Sequence, residues 1–273
     1  MVEGRLRSPL DHEARTHMTD THVTGSYRPA ARRAALAGMV VSVVVAALAS
    51  TAFTSAAGAR ATRPSEVDVV GAGTINWRQL AVLAAPKPGA RRVATMKQFR
   101  SDFRPQYVLA LDALRSKAGD PTWYRISVPG RPNGRTGWVR AGSLELHPVK
   151  KRLIVYRGDR RFEFWDGSRL VRSGKVAVGK PGAETPLGLF YLTDKFNPSI
   201  DPEWAILGAF AFETSAYSKL TDWPGGGIVG VHGTPWPELL GQAVSHGCIR
   251  LDNRDVDFLR NRMPLGTPVK IVR

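Results

Sequence analysis

The most informative part of this sequence runs from His232 to Leu251 and reads HGTPWPELLGQAVSHGCIRL. It contains Cys248, the one cysteine among 273 residues, and two of the six histidines, His232 and His246. A single cysteine excludes an internal disulfide and any zinc site built from several thiolates. The thiol is therefore either a buried apolar group or a reactive one.

The neighbours of Cys248 favour a reactive thiol. A thiol attacks a carbonyl carbon as the thiolate, and a nearby imidazole can take the proton and later return it. Gly233 and Gly247 let the backbone approach a substrate, and backbone amides beside the thiol can hold an oxyanion. Arg250 can bind a carboxylate or raise the thiolate fraction. A zinc site made by the two histidines and the cysteine is an alternative that these residue types allow.

These residues resemble the signature of the L,D-transpeptidase catalytic domain of the YkuD type. HGT at 232–234 and SHGCIR at 245–250 carry the resemblance, together with TPLG at 185–188 and GTPV at 266–269. The resemblance implies a β-rich catalytic domain, which we place at residues 149–273. It also implies a cysteine-dependent acyltransferase that needs neither a metal nor another cofactor.

The resemblance implies a role for each site residue. Cys248 is the nucleophile, His232 is the proton donor and acceptor, and the backbone carbonyl of Gly233 orients the ring of His232. Other positions support the site: His246 shapes the pocket, the amides of Gly247 and Cys248 bind the oxyanion, and Arg250 supports the site or binds a substrate carboxylate. The positions that we expect to contact substrate are Ser245, Thr234, Trp236 and Tyr217, with core packing as the alternative for the two aromatic residues.

The substrate that the resemblance implies is a peptidoglycan tetrapeptide stem. Cys248 attacks the carbonyl of its third residue, the terminal D-Ala leaves, and a thioester forms. A side-chain amine of a second stem then attacks the thioester and forms a 3→3 cross-link, whereas water would give L,D-carboxypeptidase activity. Two alternatives remain: a zinc hydrolase, and a wall-binding protein whose catalytic domain is silent.

The amino-terminal part of the chain predicts export. Residues 34–59 form a run of 26 residues without a charge, and about 20 apolar residues are enough to span a bilayer. Arginines precede this run at positions 28, 32 and 33, which places residues 1–33 in the cytoplasm as a leader. Ala57, Gly58 and Ala59 have the small-x-small form of a signal-peptidase site. The run is therefore a cleaved signal peptide or a membrane anchor, and the rest of the chain lies outside the cytoplasm, in the cell envelope.

The charge of the chain favours anionic partners. Lys and Arg number 39 against 23 Asp and Glu, which gives a formal net charge of +16. Export argues against nucleic acid as the partner, so wall polymers and lipid head groups are the expected counter-charges, with a basic surface that serves only solubility as the alternative. A hydrophobic fraction of 43% excludes a chain that is disordered throughout.

The remaining sequence predicts a mainly β chain with two folded units. Residues 60–72 read as a linker, and short apolar runs that alternate with turns fill residues 73–148. PGRPNG at 129–134 and TGWV at 136–139 resemble bacterial SH3-like modules, so we expect a small SH3-like barrel that binds wall or packs on its neighbour. In the catalytic domain, Asp252 can cap a short C-terminal helix that contains Val256, Leu259 and Met263 at helical spacing.

Overall fold

The computed structural model describes residues 67–200, 202–222 and 224–273, which belong to one compact body. The predicted leader, the apolar segment 34–59 and most of the predicted linker lie outside the described residues. Within the described ranges, no helix has the length and apolar character that a bilayer crossing would require.

The described chain begins with an antiparallel sheet of seven strands, called here the N-terminal sheet. Its strands lie in the order β3-β2-β6-β5-β4-β1-β7. Alternation of buried and exposed residues, clearest in β2, turns one face of the sheet inward. The strands are β1 (Gly71–Ile75), β2 (Gln79–Leu83), β3 (Arg92–Lys97), β4 (Tyr107–Arg115), β5 (Pro121–Ser127), β6 (Thr136–Arg140) and β7 (Leu144–His147).

The N-terminal sheet begins earlier than the sequence predicts. Gly71 and Ala72, which we assigned to the linker, are the first residues of β1. Small residues are needed there because β7 runs very close: a β-carbon on Gly73 would lie 1.7 Å from the carbonyl oxygen of Glu145. Glycine therefore marks close strand packing here, not chain flexibility. The likeness of this sheet to an SH3 barrel stays a prediction.

The rest of the described chain forms a mixed sheet of nine strands, called here the C-terminal sheet. Its order is β14-β10-β15-β13-β12-β11-β16-β8-β9, and β10 also pairs with β9, so the sheet closes on itself. The strands are β8 (Lys151–Tyr156), β9 (Arg161–Asp166), β10 (Arg169–Gly179), β11 (Gly188–Phe196), β12 (Ala211–Tyr217), β13 (Ile228–His232), β14 (Ala243–Ser245), β15 (Ile249–Leu251) and β16 (Pro268–Val272).

One short α-helix, α1 (Asn253–Arg260), packs on this sheet within the described ranges. The side chain of Asp252 caps it by accepting a hydrogen bond from the Arg254 amide at 2.8 Å. Val256 and Leu259 join the buried core of the C-terminal sheet. Met263, which we expected within the helix, lies beyond its last turn but is fully buried in the same core. The predicted fold class, mainly β with a short C-terminal helix, is confirmed.

Candidate active site

The pairing of two parallel strands brings the predicted nucleophile and base together. β13 and β15 are parallel neighbours in which Val231 pairs with Ile249 and His232 pairs with Arg250. In this register Cys248, one residue before β15, lies beside Gly230. The Gly230 amide donates a hydrogen bond to the Cys248 sulfur at 3.3 Å.

Gly230 leaves the space that the two reactive side chains share. A β-carbon placed on Gly230 would lie 3.5 Å from Cδ2 of His232 and 3.7 Å from Sγ of Cys248. The imidazole and the thiol therefore flank the same small space, with only the hydrogen of Gly230 beneath it. We did not identify Gly230 from the sequence, although its position two residues before a candidate catalytic histidine was a usable signal.

The ring of His232 is held by the backbone, as the resemblance implied. Its Nδ1 lies 2.6 Å from the carbonyl oxygen of Gly233. Because a carbonyl oxygen only accepts, Nδ1 carries the proton and Nε2 of the neutral ring is left as the basic nitrogen. Burial, reinforced by the charge of Arg250, lowers the pKa of His232 to about 4 despite the hydrogen bond to Gly233. His232 is therefore neutral and able to accept a proton at pH 7.

Cys248 rests as a thiol. Burial raises its pKa, and the Gly230 amide and the charge of Arg250 only partly offset this effect. Burial thus disfavours the charged form of both side chains, and the resting pair is a neutral thiol beside a neutral imidazole. The thiolate has to form as the substrate is attacked, with the imidazole taking the proton.

A hydroxyl network fixes the backbone just before Cys248. The hydroxyl of Ser245 donates to the Cys248 carbonyl at 2.6 Å and accepts from the Gly247 amide at 3.2 Å. On the other side, the hydroxyl of Thr185 donates to the Gly247 carbonyl at 2.9 Å and accepts from the Gly179 amide at 2.9 Å. Ser245 and Thr185 are fully buried. This geometry favours a positioning role for Ser245 over the predicted contact with substrate.

A second hydrogen-bond network, centred on the half-buried Asn253, supports the segment that follows His232. Asn253, the first residue of α1, accepts from the Thr234 amide at 3.1 Å and donates to the Thr234 carbonyl at 2.9 Å. Its Oδ1 also accepts from the Ala209 amide at 2.9 Å. Thr234 is buried, and its hydroxyl accepts from the Trp236 amide at 3.2 Å, which again favours positioning over substrate contact. Asn253 was not identified from the sequence, in which it reads only as the start of a helix.

Residues 150–271 match the YkuD L,D-transpeptidase catalytic domain. A Bacillus licheniformis protein named L,D-transpeptidase YkuD is 32% identical over 169 residues, which are 59% of this chain and 93% of that protein. The chain belongs to the L,D-transpeptidase family.

The chain is also similar to two further proteins. The YkuD protein of Bacillus subtilis is 29% identical over 180 residues, which cover 66% of this chain and 94% of that protein. The solved structure of Bd1075 from Bdellovibrio bacteriovorus aligns with a TM-score of 0.37 and 24% identity, over 45% of this chain and 48% of that one. The chain thus spans about half the length of the Bdellovibrio protein.

Arg250, whose charge acts on both His232 and Cys248, lies close to Trp236. The Arg250 guanidinium is 5.9 Å from the ring centroid of Trp236, which is 40% exposed. His246, two residues before Cys248, is half-buried and has interactions of its own. Across residues 67–200, 202–222 and 224–273, no three His, Cys, Asp or Glu side chains are grouped so that they could hold a metal ion.

We call residues 246–248, between β14 and β15, the catalytic loop. A groove of about 620 Å³ lies beside this loop, and Tyr217 is one of the residues that line it. Ser218, also in its wall, packs against Gly247, because a β-carbon on Gly247 would lie 2.7 Å from that of Ser218. The groove therefore adjoins the backbone that presents the thiol. Its lining comes from both sheets and comprises Arg131, Pro132, Asn133, Arg157, Glu184, Pro186, Leu187, Tyr217, Ser218 and Lys219.

Proposed function

We propose that this family member is a peptidoglycan L,D-transpeptidase that forms 3→3 cross-links through a thioester on Cys248. The observation that carries the proposal is the space over Gly230, which the thiol and the imidazole of His232 share. A carbonyl carbon bound there meets a nucleophile and a base whose basic nitrogen is defined by the bond from Nδ1 to Gly233.

In the acylation step, Sγ of Cys248 bonds to the carbonyl carbon of the third stem residue while Nε2 of His232 takes the thiol proton. The tetrahedral intermediate collapses with cleavage of the amide bond, and the imidazolium returns the proton to the departing amine of D-Ala. Because its pKa is about 4, the imidazolium of His232 gives up its proton more readily than that of an ordinary histidine, which suits protonation of an amine leaving group.

The developing oxyanion requires a hydrogen-bond donor beside Cys248. The Gly247 amide already donates to the hydroxyl of Ser245 at 3.2 Å. We therefore assign the main oxyanion contact to the amide of Cys248, while Gly247 sets its direction through a backbone with φ of 120°. From the sequence we expected the amides of both Gly247 and Cys248 to bind the oxyanion, and we now assign the main contact to Cys248 alone.

The acceptor decides the product. When the side-chain amine of a second stem attacks the thioester, its proton passes to His232 and then to the departing thiolate, and a 3→3 amide forms. When water attacks in the same way, a carboxylic acid forms and the enzyme acts as an L,D-carboxypeptidase. The groove beside Gly247 gives an acceptor peptide a place to bind next to the thioester, and this supports transpeptidation as the main outcome.

The decisive experiment is mass spectrometry of the protein and its products after incubation with a disaccharide tetrapeptide. We expect the protein to gain the mass of the stem minus D-Ala and the product to be a 3→3 dimer. Cys248→Ala should show neither, and His232→Ala should lose about 100-fold or more in rate, the usual range for general base catalysis. His246→Ala should lose less. A dimer formed by Cys248→Ala would exclude the proposal.

The alternatives give different results in the same experiment. A zinc hydrolase would lose activity with chelator and would form no protein-bound adduct. A silent wall-binding protein would bind wall fragments and leave the tetrapeptide unchanged. A product that contains only the trimmed stem would identify an L,D-carboxypeptidase.

We also propose that the enzyme acts outside the cytoplasm, with residues 34–59 as its signal peptide or membrane anchor. The support is the uncharged run preceded by arginines, and the net charge of +16 suits an anionic wall. Amino-terminal sequencing of the protein from cells tests this proposal. A mature chain that begins at Arg60 indicates cleavage, whereas a full-length chain in the soluble cytoplasmic fraction would contradict export.

A further inference from the structure

The loop that joins β5 to β6 in the N-terminal sheet contacts the active-site side of the C-terminal sheet. Arg131 in this loop donates to three backbone carbonyls of the segment between β12 and β13: Ser218 at 3.0 Å, Leu220 at 2.9 Å and Gly226 at 2.9 Å. We call this segment, residues 218–222 and 224–227, the β12–β13 connection. One guanidinium thus bridges both ends of the connection.

Asn133 binds the same region through the backbone of one residue. Its side-chain amide donates to the Tyr217 carbonyl at 2.7 Å, and its side-chain carbonyl accepts from the Tyr217 amide at 2.9 Å. Both backbone groups at the end of β12 are therefore paired as they would be by a neighbouring strand. The guanidinium of Arg131 also lies 5.0 Å from the centroid of the Tyr217 ring.

The β12–β13 connection is in direct contact with the catalytic loop. The Ser218 amide donates to the Gly227 carbonyl at 2.8 Å, which closes the base of the connection. Ser218 then packs on Gly247, one residue before the nucleophile. At its other end the connection enters β13, whose Gly230 amide binds the Cys248 sulfur. A shift of the connection would therefore move both the backbone before Cys248 and the amide that contacts its sulfur.

Gly227 shows how closely the two sheets fit at this point. Its φ is +77°, and a β-carbon there would lie 2.5 Å from a guanidinium nitrogen of Arg131 and 2.0 Å from the Leu220 carbonyl oxygen. A side chain at this position would push the arginine out of its place. The connection is thus shaped to receive Arg131.

We propose that Arg131 and Asn133 are positioning residues of the active site, which hold the β12–β13 connection against Gly247. The N-terminal sheet then contributes to the catalytic apparatus. The inference rests on the proposed function for its activity readout, and its structural readouts do not depend on that function.

The test compares Arg131→Ala with Arg115→Ala in the full chain. Arg115 is the matched control because it donates to a backbone carbonyl, that of Gly119 at 2.9 Å, within the N-terminal sheet alone. The first readout is hydrogen exchange of the Tyr217 and Ser218 amides by NMR. We expect exchange about tenfold faster in Arg131→Ala, the effect of losing one net hydrogen bond to a charged group. Arg115→Ala should match the wild type.

The second readout is the pH midpoint for alkylation of Cys248 by iodoacetamide, which should move upward in Arg131→Ala as the Gly230 amide withdraws from the sulfur. The third readout is acylation by the tetrapeptide stem, which we expect to slow about tenfold. Arg131→Lys should lie between the wild type and Arg131→Ala, because the ammonium keeps the positive charge but lacks the Nε–H, which donates to the Ser218 carbonyl at 3.3 Å, and the planar group that lies near the Tyr217 ring.

Two outcomes would overturn the inference. Unchanged exchange of Ser218 in Arg131→Ala would mean that the arginine does not hold the connection. Faster exchange with an unchanged alkylation midpoint and an unchanged acylation rate would mean that the connection is held but does not position Cys248. If the wild type fails to react with the stem, the proposed function fails, and the exchange and alkylation results still decide the inference. Asn133→Ala, which removes both bonds to Tyr217, serves if Arg131→Ala does not fold.

Discussion

The neutral resting state of Cys248 and His232 determines how the rate should depend on pH. Since only the neutral imidazole accepts a proton, acylation follows its titration in the free enzyme, and burial lowers that pKa to about 4. We expect the second-order acylation rate constant to be level from about pH 5 to pH 8 and to fall to half near pH 4. An ordinary histidine would instead give a midpoint at about pH 6.5.

Stopped-flow acylation with a chromogenic β-lactam measures this profile, and tryptophan fluorescence shows whether the protein stays folded at each pH. In the unfolded chain His232 takes up its second ring proton at about pH 6.5, whereas in the folded chain it does so only near pH 4. The free energy of unfolding therefore decreases as pH falls through this window. A midpoint close to 6.5 with a folded protein would show that His232 is not the base or is not buried in solution.

A larger side chain at position 230 should slow catalysis and leave the stability of the fold nearly unchanged. Substitution of Gly230 by alanine places a methyl group 3.5 Å from His232 and 3.7 Å from the Cys248 sulfur, distances of ordinary packing. We expect Gly230→Ala to fold with a stability within about 1 kcal/mol of the wild type. Acylation should slow by about tenfold or more, because the methyl group fills the space that the carbonyl must enter. Chemical denaturation and acylation kinetics of the same sample separate the two effects, and an unchanged rate would contradict the assigned site.

The residues that carry reactive groups could be predicted from the sequence, but the residues that hold them in place could not. A thiol, two imidazoles and glycines in one short interval indicated covalent catalysis by Cys248, and the family resemblance implied the roles of His232 and Gly233. Gly230 and Asn253 have no reactive group, and their importance depends on which atoms the fold places beside them. Ser245 and Thr234 were expected to contact substrate, and their burial, which the sequence did not indicate, favours a positioning role for both.

At the scale of elements, Thr185 joins the β10–β11 loop to the catalytic loop. Its hydroxyl satisfies the buried Gly179 amide and the Gly247 carbonyl at 2.9 Å each. Valine has nearly the same shape but leaves both groups unpaired, so Thr185→Val should lower the free energy of unfolding by about 2 kcal/mol. Urea denaturation measures this value, and Thr193→Val, at a half-buried position of β11, is the comparison. Equal stability of the two variants would show that the Thr185 bridge is not formed.

The strands were easier to predict than their order. Short apolar runs that alternate with turns indicated strands within residues 73–148, and the strands β2 to β7 lie in that range. The site, however, depends on the parallel pair β13–β15, which joins segments separated in the sequence. Periodicity within one strand carries no information about a distant parallel partner, so the register that places Cys248 beside Gly230 could not be read from the chain.

At the scale of the molecule, the two sheets are joined by a buried carboxylate as well as by Arg131. Asp194 of the C-terminal sheet is 4% exposed, and both Arg104 and Arg100, from the segment between β3 and β4, contact it, the latter at 3.2 Å. Tyr191 is fully buried in the same boundary and donates to the Tyr107 carbonyl at 3.2 Å. These contacts join the sheets over an area that includes ion pairs, core packing and the loop that holds the active site.

Removing the Asp194 carboxylate should weaken this boundary without separating the sheets. Asp194→Ala removes one carboxylate from Arg100 and Arg104, which both keep Asp102. Because both arginines are partly exposed and keep this partner, we expect a loss of about 2 kcal/mol in the free energy of unfolding, less than for a fully buried pair. Asp112→Ala is the control, since its ion pair with Arg125 at 3.7 Å is exposed on both sides and should contribute at most about 0.5 kcal/mol.

Scanning calorimetry gives both the stability and the number of transitions of these variants. We expect Asp194→Ala to unfold in one transition at a lower temperature, because the Tyr191 contacts and the Arg131 bonds still connect the two sheets. Two separate transitions would mean that Asp194 alone couples the sheets. A shift no larger than that of Asp112→Ala would mean that the ion pairs contribute little, and that core packing and the loop around Arg131 hold the N-terminal sheet beside the active site.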